Sequence, residues 1–449
     1  MDRPTLTAGR PSVGALVLAL AVPTLFVHST YTFDFSVSLG STSATVELAD
    51  LAVLVVAAAA LVAARRDGLG ALRAGKAVWI AAGVYLGLIF AGTLYGPVVT
   101  DGYQLGSSLV TAAKYAEYAA LALAVPLLAR RRLDQALLLG SVTLWSAVAT
   151  GWAALQFLGL VDEFEGRRPG QREPSFLGVH DFAALSAAAL GLALLAIAFG
   201  TRGRWLRGLA ATAGVAGTLG VVLSGALASV GAVVLGAAIA GVAALLRGVL
   251  TRARAAGLVG VVLVVLVGSL AIRSADLDQF LRFLGVNPQK EETSGRIQSY
   301  SQRTVLGYIG IRIFLDHPVL GVGWQGSALE ESYRPYLDDA RRRYPSVSEE
   351  ALPSPEHPWG VQNAFIQAAA DLGLPGLLAL LALLGAGAWV AVDAYRRGPP
   401  QGLVPLLWLV VAAAELTALG LFAGVPIDAL LWLALGLAVA SRAVSRSET

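Results

Sequence analysis

Arg296 and Arg303 lie seven residues apart in a long polar interval of an otherwise apolar chain. That spacing puts both guanidiniums on one face of a helix. Arg172 stands in a shorter polar interval, EGRRPGQREPSFLGVHDFAAL, close to the start of the next apolar run. A guanidinium stays charged when packed at a membrane surface and grips two oxygens at once, so these positions suit a phosphate or diphosphate. The other use of such arginines is headgroup binding or a surface ion pair with Glu163, Glu165 or Glu173. For Arg167 and Arg168 that second use is the expectation; for Arg172 the two are evenly balanced.

A base is the second requirement of hydroxyl chemistry. His357 precedes Pro358 and stands six residues before Asn363, at the lip of an apolar run. A neutral imidazole can take a proton from a hydroxyl near neutral pH; the plainer alternative is a loop histidine bonded to backbone. His317, before Pro318, reads as a helix end. Lys114 and Glu117 are three apart inside an apolar run, where ionisable groups are functional candidates. They either pair with each other or leave Lys114 to reach an anionic headgroup. Asp371, Asp393, Glu415 and Asp428 are the other acids in or beside the late runs, and Asp276-x-Asp278 is a weak metal-binding pattern.

The elements that position these residues follow from composition. The chain is 56% hydrophobic and 14% charged, against about 25% charged for soluble domains. It has no cysteine, which excludes a disulfide framework and a cysteine metal site. A net charge of +3 gives no reason to expect a nucleic-acid partner. Runs long enough to cross a bilayer, ~20 residues each, lie near 12–29, 44–64, 76–95, 106–129, 134–160, 178–200, 205–223, 226–246, 255–273, 363–394, 403–422 and 425–441. The seventh and eighth are divided only by Ser224-Gly225. The first is expected to be a retained helix, not a cleaved leader.

Arginine and lysine collect after every even-numbered run: Arg65, Arg66, Arg73 and Lys76; Arg130 to Arg132; Arg202, Arg204 and Arg207; Arg247, Arg252 and Arg254; Arg396 and Arg397; Arg442 and Arg446. The positive-inside rule then puts both termini in the cytoplasm and the odd loops outside. All four histidines fall at or near that outer face. The expected fold is an all-α integral membrane protein of about twelve transmembrane helices. Its parts are residues 1–273 with helices one to nine, an external loop domain with amphipathic helices at 274–362, and 363–449 with helices ten to twelve. Within the loop, Gly307 and Gly310 continue the Arg303 face and are expected to leave room for a ligand. Val305, Ile309 and Ile313 form a stripe expected to pack on the membrane domain. Arg312 should face away, and Arg341, Arg342 and Arg343 should form a solvated helix face.

The run from Arg303 to Gly323, ending Asp316-His317-Pro318-Val319-Leu320-Gly321-Val322-Gly323, resembles the arginine and "DHPLLGVG" signature of the O-antigen ligase and O-antigen polymerase family. Asn363, Gln367, Asp371, Gly373 and Gly376 are similar to its next motif, and Arg172 with Phe176, His180, Asp181, Phe182 and Ala183 to an earlier one. The resemblance implies a GT-C type glycosyltransferase with no metal cofactor. It moves a glycan, with inversion, from an undecaprenyl diphosphate carrier to an acceptor hydroxyl at the outer face of the bacterial plasma membrane. Arg172 and Arg303 would hold the diphosphate, with Arg296 assisting, and a histidine would activate the acceptor.

Three positions depart from the family pattern. Gln362 stands where the family has a histidine before the asparagine, so His357 takes the role of base or another group does. Ser224-Gly225-Ala226 lacks the arginine of the family's "SRG". His180-Asp181 replaces "PN" and offers a second candidate base near Arg172. Lys114, His180, Gln362, Asn363 and Arg296 complete the expected substrate-binding set.

A polymerase-type enzyme or a protein O-glycosyltransferase would share this chemistry. A flippase for a lipid-linked sugar is the competing class. It would spread ionisable residues through mid-membrane and often carry an internal repeat; here the unusual arginines gather at one face.

Overall fold

The computed structural model describes residues 10–40, 42–201, 203–274, 299–345, 347–421 and 424–447. Arg296, Asp276 and Asp278 lie outside the described residues. Each of the twelve apolar runs falls on a helix: α1 (Val13–Leu25), α2 (Leu48–Asp67), α3 (Lys76–Val99), α4 (Leu105–Leu128), α5 (Arg132–Phe157), α6 (Val179–Phe199), α7 (Arg204–Ser224), α8 (Leu227–Leu246), α9 (Arg252–Ile272), α13 (Ala364–Arg397), α14 (Val404–Glu415) and α15 (Pro426–Ser447). The segment between α9 and α13 carries α10 (Ser299–Asp316), α11 (Glu330–Tyr333) and α12 (Leu337–Arg343).

Among the described residues, nine helices are long and apolar enough to cross a membrane: α2, α3, α5 to α9, α13 and α15. α1 and α14 are apolar but shorter, and α4 carries Lys114 and Glu117 near its middle. The bundle is layered around α15, whose apolar side chains from Ile427 to Val439 are buried. It packs on α4, α13 and α14. Peripheral helices turn large apolar side chains outward, as Leu263, Val264 and Val267 of α9 do. Such surface suits a lipid environment.

Ser224-Gly225 does divide two helices. Gly225 closes α7 in the left-handed region at φ +57°, its N–H reaching the Val221 and Val222 carbonyls. Glycine adopts that conformation without a Cβ penalty. An antiparallel hairpin, β1 (Asp34–Leu39) with β2 (Thr42–Glu47), joins α1 to α2; the all-α reading did not include it. Its strands alternate small polar and apolar residues, a period-two pattern too short to stand out beside the membrane runs.

The α10 stripe is buried, and one expectation for the loop is corrected. Val305, Ile309 and Ile313 are buried in one cluster with Tyr333, Tyr336, Ala340 and Leu352 of the loop and Ala370 of α13. α10 thus lies on the start of α13, as expected, and the loop adds its own apolar side chains to the same cluster. Gly310 leaves no ligand space: a Cβ there would meet Ile366 and Val361 at 2.8 Å. It is a close-approach point between α10 and the start of α13. Arg312 is exposed, as expected, and Arg341 and Arg342 pair with Glu349, Asp338 and Asp339 on a solvated face.

The glycine turn after α10 locks the loop onto a kink in α13. Gly373 interrupts that helix at φ +69°, and Leu374 donates its N–H to the Pro318 carbonyl. Val322 and Gly323 donate theirs to the carbonyls of Ala370 and Asp371. The Asp371 carboxylate accepts from the backbone of Gln325 and Ser327 and from the Gln367 side chain. Thr100 and Tyr103, at the end of α3, bind the carbonyls of Val322 and Trp324.

Candidate functional site

Residues from six separate stretches meet at the helix ends on one side of the bundle. Arg303, one turn into α10, donates from Nη2 to His180 Nε2 at 2.8 Å and from Nε to Gln362 Oε1 at 3.1 Å. His180 lies in the first turn of α6, and its Nδ1 is 2.7 Å from Glu415 Oε2. Ser229, in the first turn of α8, donates to Glu415 Oε1 at 2.5 Å.

These contacts fix the imidazole tautomer. A guanidinium only donates, so Nε2 must accept and Nδ1 must carry the proton given to Glu415. Glu415 is fully buried at the last residue of α14, the negative end of the helix, where a carboxylate is disfavoured. His180 and Ser229 occupy both its oxygens. A carboxylate holding an imidazole with Nε2 outward is the arrangement of a general base.

A second group forms around Gly225. Arg172 is brought there because Glu173 donates its N–H to the Leu223 carbonyl, at the end of α7. The rest of that loop is pinned by Ser175 to Ala149 of α5 and by Gln156 to the Ser175 carbonyl. Arg273, just after α9, donates Nη1 to the Gly225 carbonyl at 2.9 Å. Arg172 and Arg273 are only 7% and 5% exposed. Gly225 is four residues before Ser229, so the arginine pair and the Glu415–His180–Arg303 chain sit at neighbouring points of one turn and helix start. Burial pushes Glu173 up to about 7; the charge of Arg167 opposes the rise and that of Glu163 adds to it.

The expected site residues therefore divide. Arg303, His180 and Gln362 come together, and Arg172 lies beside the same turn. His357 does not join them: it is exposed in a short turn with Ser354, stacked on Trp359 at 5.8 Å. Asn363 caps α13, accepting from Phe365 and Ile366 and donating to the Thr417 carbonyl. Lys114 pairs with Glu47 and Asp50, 3.4 and 3.2 Å away, not with Glu117. Its partners sit on the hairpin end and α2, elements too distant in sequence for helix spacing to suggest.

Arg273 and Ser229 were not singled out from the sequence, and Glu415 was noted only as an acid near a late run. Arg273 carries the same signal that marked Arg172, an arginine at the non-basic end of an apolar run. Ser229 carries none, because serine is common in membrane helices. Among the described residues, no group of three or more His, Asp or Glu is placed to hold a metal ion.

Fold and site together define a polytopic membrane protein with an arginine, histidine and carboxylate cluster beside its largest interhelical segment. Residues 212–381 match the model of the O-antigen ligase family. The match spans Gly225, Ser229, Arg273, Arg303 and Gln362; Arg172, His180 and Glu415 lie outside it. No curated protein matches the chain.

Proposed function

We propose that this protein is a membrane glycosyltransferase that moves a glycan from a polyprenyl diphosphate carrier, undecaprenyl diphosphate in bacteria, to an acceptor hydroxyl. The acceptor oxygen attacks the anomeric carbon as the bond from that carbon to the diphosphate oxygen breaks. The hydroxyl proton passes to His180 Nε2, and the bonding pair leaves with the lipid diphosphate. Single displacement inverts the anomeric centre. Arg303 and Arg172 stabilise the negative charge that grows on the leaving group, an effect worth roughly 10²–10³ in rate per well-placed donor. All twelve apolar helices cross the membrane in this reading, with the basic loops and both termini cytoplasmic and the site at the outer face.

The observation that carries the reading is Arg303 set between Gln362 and His180, with His180 held by Glu415. It joins an anion-binding group and an oriented base in one contact chain. The histidine stands on α6, while the position before Asn363 is Gln362, so His180 takes the role first assigned to His357. At rest Arg303 occupies the Nε2 lone pair. A bound diphosphate draws the guanidinium away and exposes the base only when the donor is in place.

The test is transfer from a short-chain polyprenyl diphosphate glycan by detergent-purified protein. Arg303→Ala and Arg172→Ala should each lower the rate by roughly 10²–10³ while the protein stays folded. Full activity in both variants would remove the diphosphate clamp. Carrier binding without transfer to any acceptor would point to a flippase.

A further inference from the structure

Arg73 lines two cavities at the basic end of the bundle, the end of α3 away from Thr100 and Tyr103. One, of about 550 Å³, is lined by Leu69, Leu72, Arg73, Lys76, Trp79 and Ile80. The other, of about 420 Å³, adds Arg130 from just beyond α4 and Arg446 from the end of α15. Together the linings hold four basic side chains and no acidic one. Arg130 is engaged by the carbonyls of Leu127, Asp67 and Gly68 and pairs with Asp67 at 3.7 Å. Arg73 and Lys76 are exposed and make no hydrogen bond or ion pair among the described residues.

The segment that carries Arg73 is fixed to its neighbours. Arg442 of α15 donates Nη1 to the Ala74 carbonyl at 2.9 Å, and the Trp79 indole donates to the Leu72 carbonyl at 2.7 Å. A Cβ on Gly75 would meet Val439 of α15 at 2.6 Å, so this turn and α15 touch. After Lys76, the residues Ile80, Gly83, Val84 and Gly87 follow at helical spacing on one face of α3. Ile80 and Val84 are more than half exposed, and a Cβ on Gly83 or Gly87 would meet nothing within 4 Å. The cavity thus continues into an open apolar face of about three helical turns. A free phosphate would use only the charge. A lipid phosphate with its acyl chain uses the charge, the apolar wall and the open face together.

We propose that Arg73 and Lys76 form a binding site for an anionic glycerophospholipid, with its phosphate between the two side chains and one acyl chain along the Ile80, Gly83 and Gly87 face of α3. A lipid seated there stabilises the folded protein, because it binds the assembled helices and not the unfolded chain. The site is separate from the arginine and histidine cluster and does not depend on the transferase reading.

The experiment uses the full-length protein in a neutral detergent, with phosphatidylglycerol, phosphatidylcholine or inorganic phosphate added in turn. The readouts are the lipid dissociation constant and the melting temperature. Phosphatidylglycerol should bind more tightly than phosphatidylcholine and raise the melting temperature, and inorganic phosphate should leave it unchanged. Arg73→Gln combined with Lys76→Gln should weaken phosphatidylglycerol binding about tenfold or more, while melting at the parental temperature without lipid. Gly83→Leu, which fills the groove, should weaken it with both charges intact. Arg252→Gln, at the start of α9, should not. Equal phosphatidylglycerol binding by the parent and the double variant overturns the inference. So does an equal loss with Arg252→Gln, which would make the effect one of diffuse charge. Inorganic phosphate that stabilises the parent as well as the lipid does, with Gly83→Leu silent, makes this a free-anion site and overturns the lipid. A double variant that melts lower without lipid, yet gains the parental increment from phosphatidylglycerol, assigns both residues to structure alone.

Discussion

Arg303 and His180, 123 positions apart, share a 2.8 Å contact in which the guanidinium covers the one lone pair the imidazole has to offer. His180 cannot accept a proton from a hydroxyl until Arg303 leaves Nε2. The donor should therefore bind before the acceptor in an obligatory order. Initial-rate patterns with both substrates varied, and dead-end inhibition by an acceptor analogue, check this. Random-order kinetics with free acceptor binding to the resting protein would contradict it.

Glu415 holds His180 in the tautomer that presents Nε2. Glu415→Gln keeps the shape but no longer favours a proton on Nδ1. The expected loss in kcat is roughly 10²-fold or more, within the range of general-base effects, with little change in donor KM. Ser229→Ala removes one of two partners of the buried carboxylate and should cost less. A Glu415→Gln enzyme with parental kcat would reduce Glu415 to a structural role.

Glu173 gives a pH dependence of stability. Burial raises it from an ordinary 4.5 to about 7, so between those values the folded protein binds a proton that the unfolded chain has released. Stability is fully present below about pH 4.5 and declines as pH rises through about 7. Glu173→Gln should leave melting near pH 4 unchanged and raise it at pH 8. Parallel melting curves for the two proteins from pH 4 to 9 would show that Glu173 is not the group responsible.

The glycine turn is a backbone lock. A Cβ on Gly373 would lie 2.4 Å from the Val319 carbonyl oxygen, at a φ of +69°. Gly373→Ala should detach the loop, raise its sensitivity to protease and reduce transfer. Gly307→Ala is the matched control, since its nearest neighbour would be 3.5 Å away. Equal protease resistance in both variants would disprove the lock.

Asn363 is a cap, with its carbonyl oxygen and amide both engaged. Asn363→Ala should cost about 1 kcal/mol of stability and leave donor and acceptor KM unchanged. A KM that rises tenfold without thermal loss would mean that Asn363 touches substrate after all.

Much of this was readable before the structure, because membrane helices announce themselves by local composition. All twelve runs became helices, and the weak boundary at Ser224-Gly225 held because glycine permits the left-handed closure of α7. Arg172 and Arg303 stood out because arginine is out of place at the non-basic ends of apolar runs. The partnership of Arg303 with His180 was not legible, nor that of His180 with Glu415. Each spans more than a hundred residues and depends on how α6, α10 and α14 meet. For the same reason His357, closer in sequence to Asn363, drew the role of base. The stripe on α10 gave the right face and, in α13, one of its partners; helical spacing says which side is buried, not all that buries it.

The central claim is that His180 is the base, and one comparison tests it most directly. Transfer by His180→Ala and His357→Ala would be measured side by side, in the same detergent, at saturating donor and acceptor. The account predicts a fall of roughly 10²–10⁴ in kcat for His180→Ala, and near-parental activity for His357→Ala. A His180→Ala protein that transfers at the parental rate, or a His357→Ala protein that alone loses activity while folded, would contradict it.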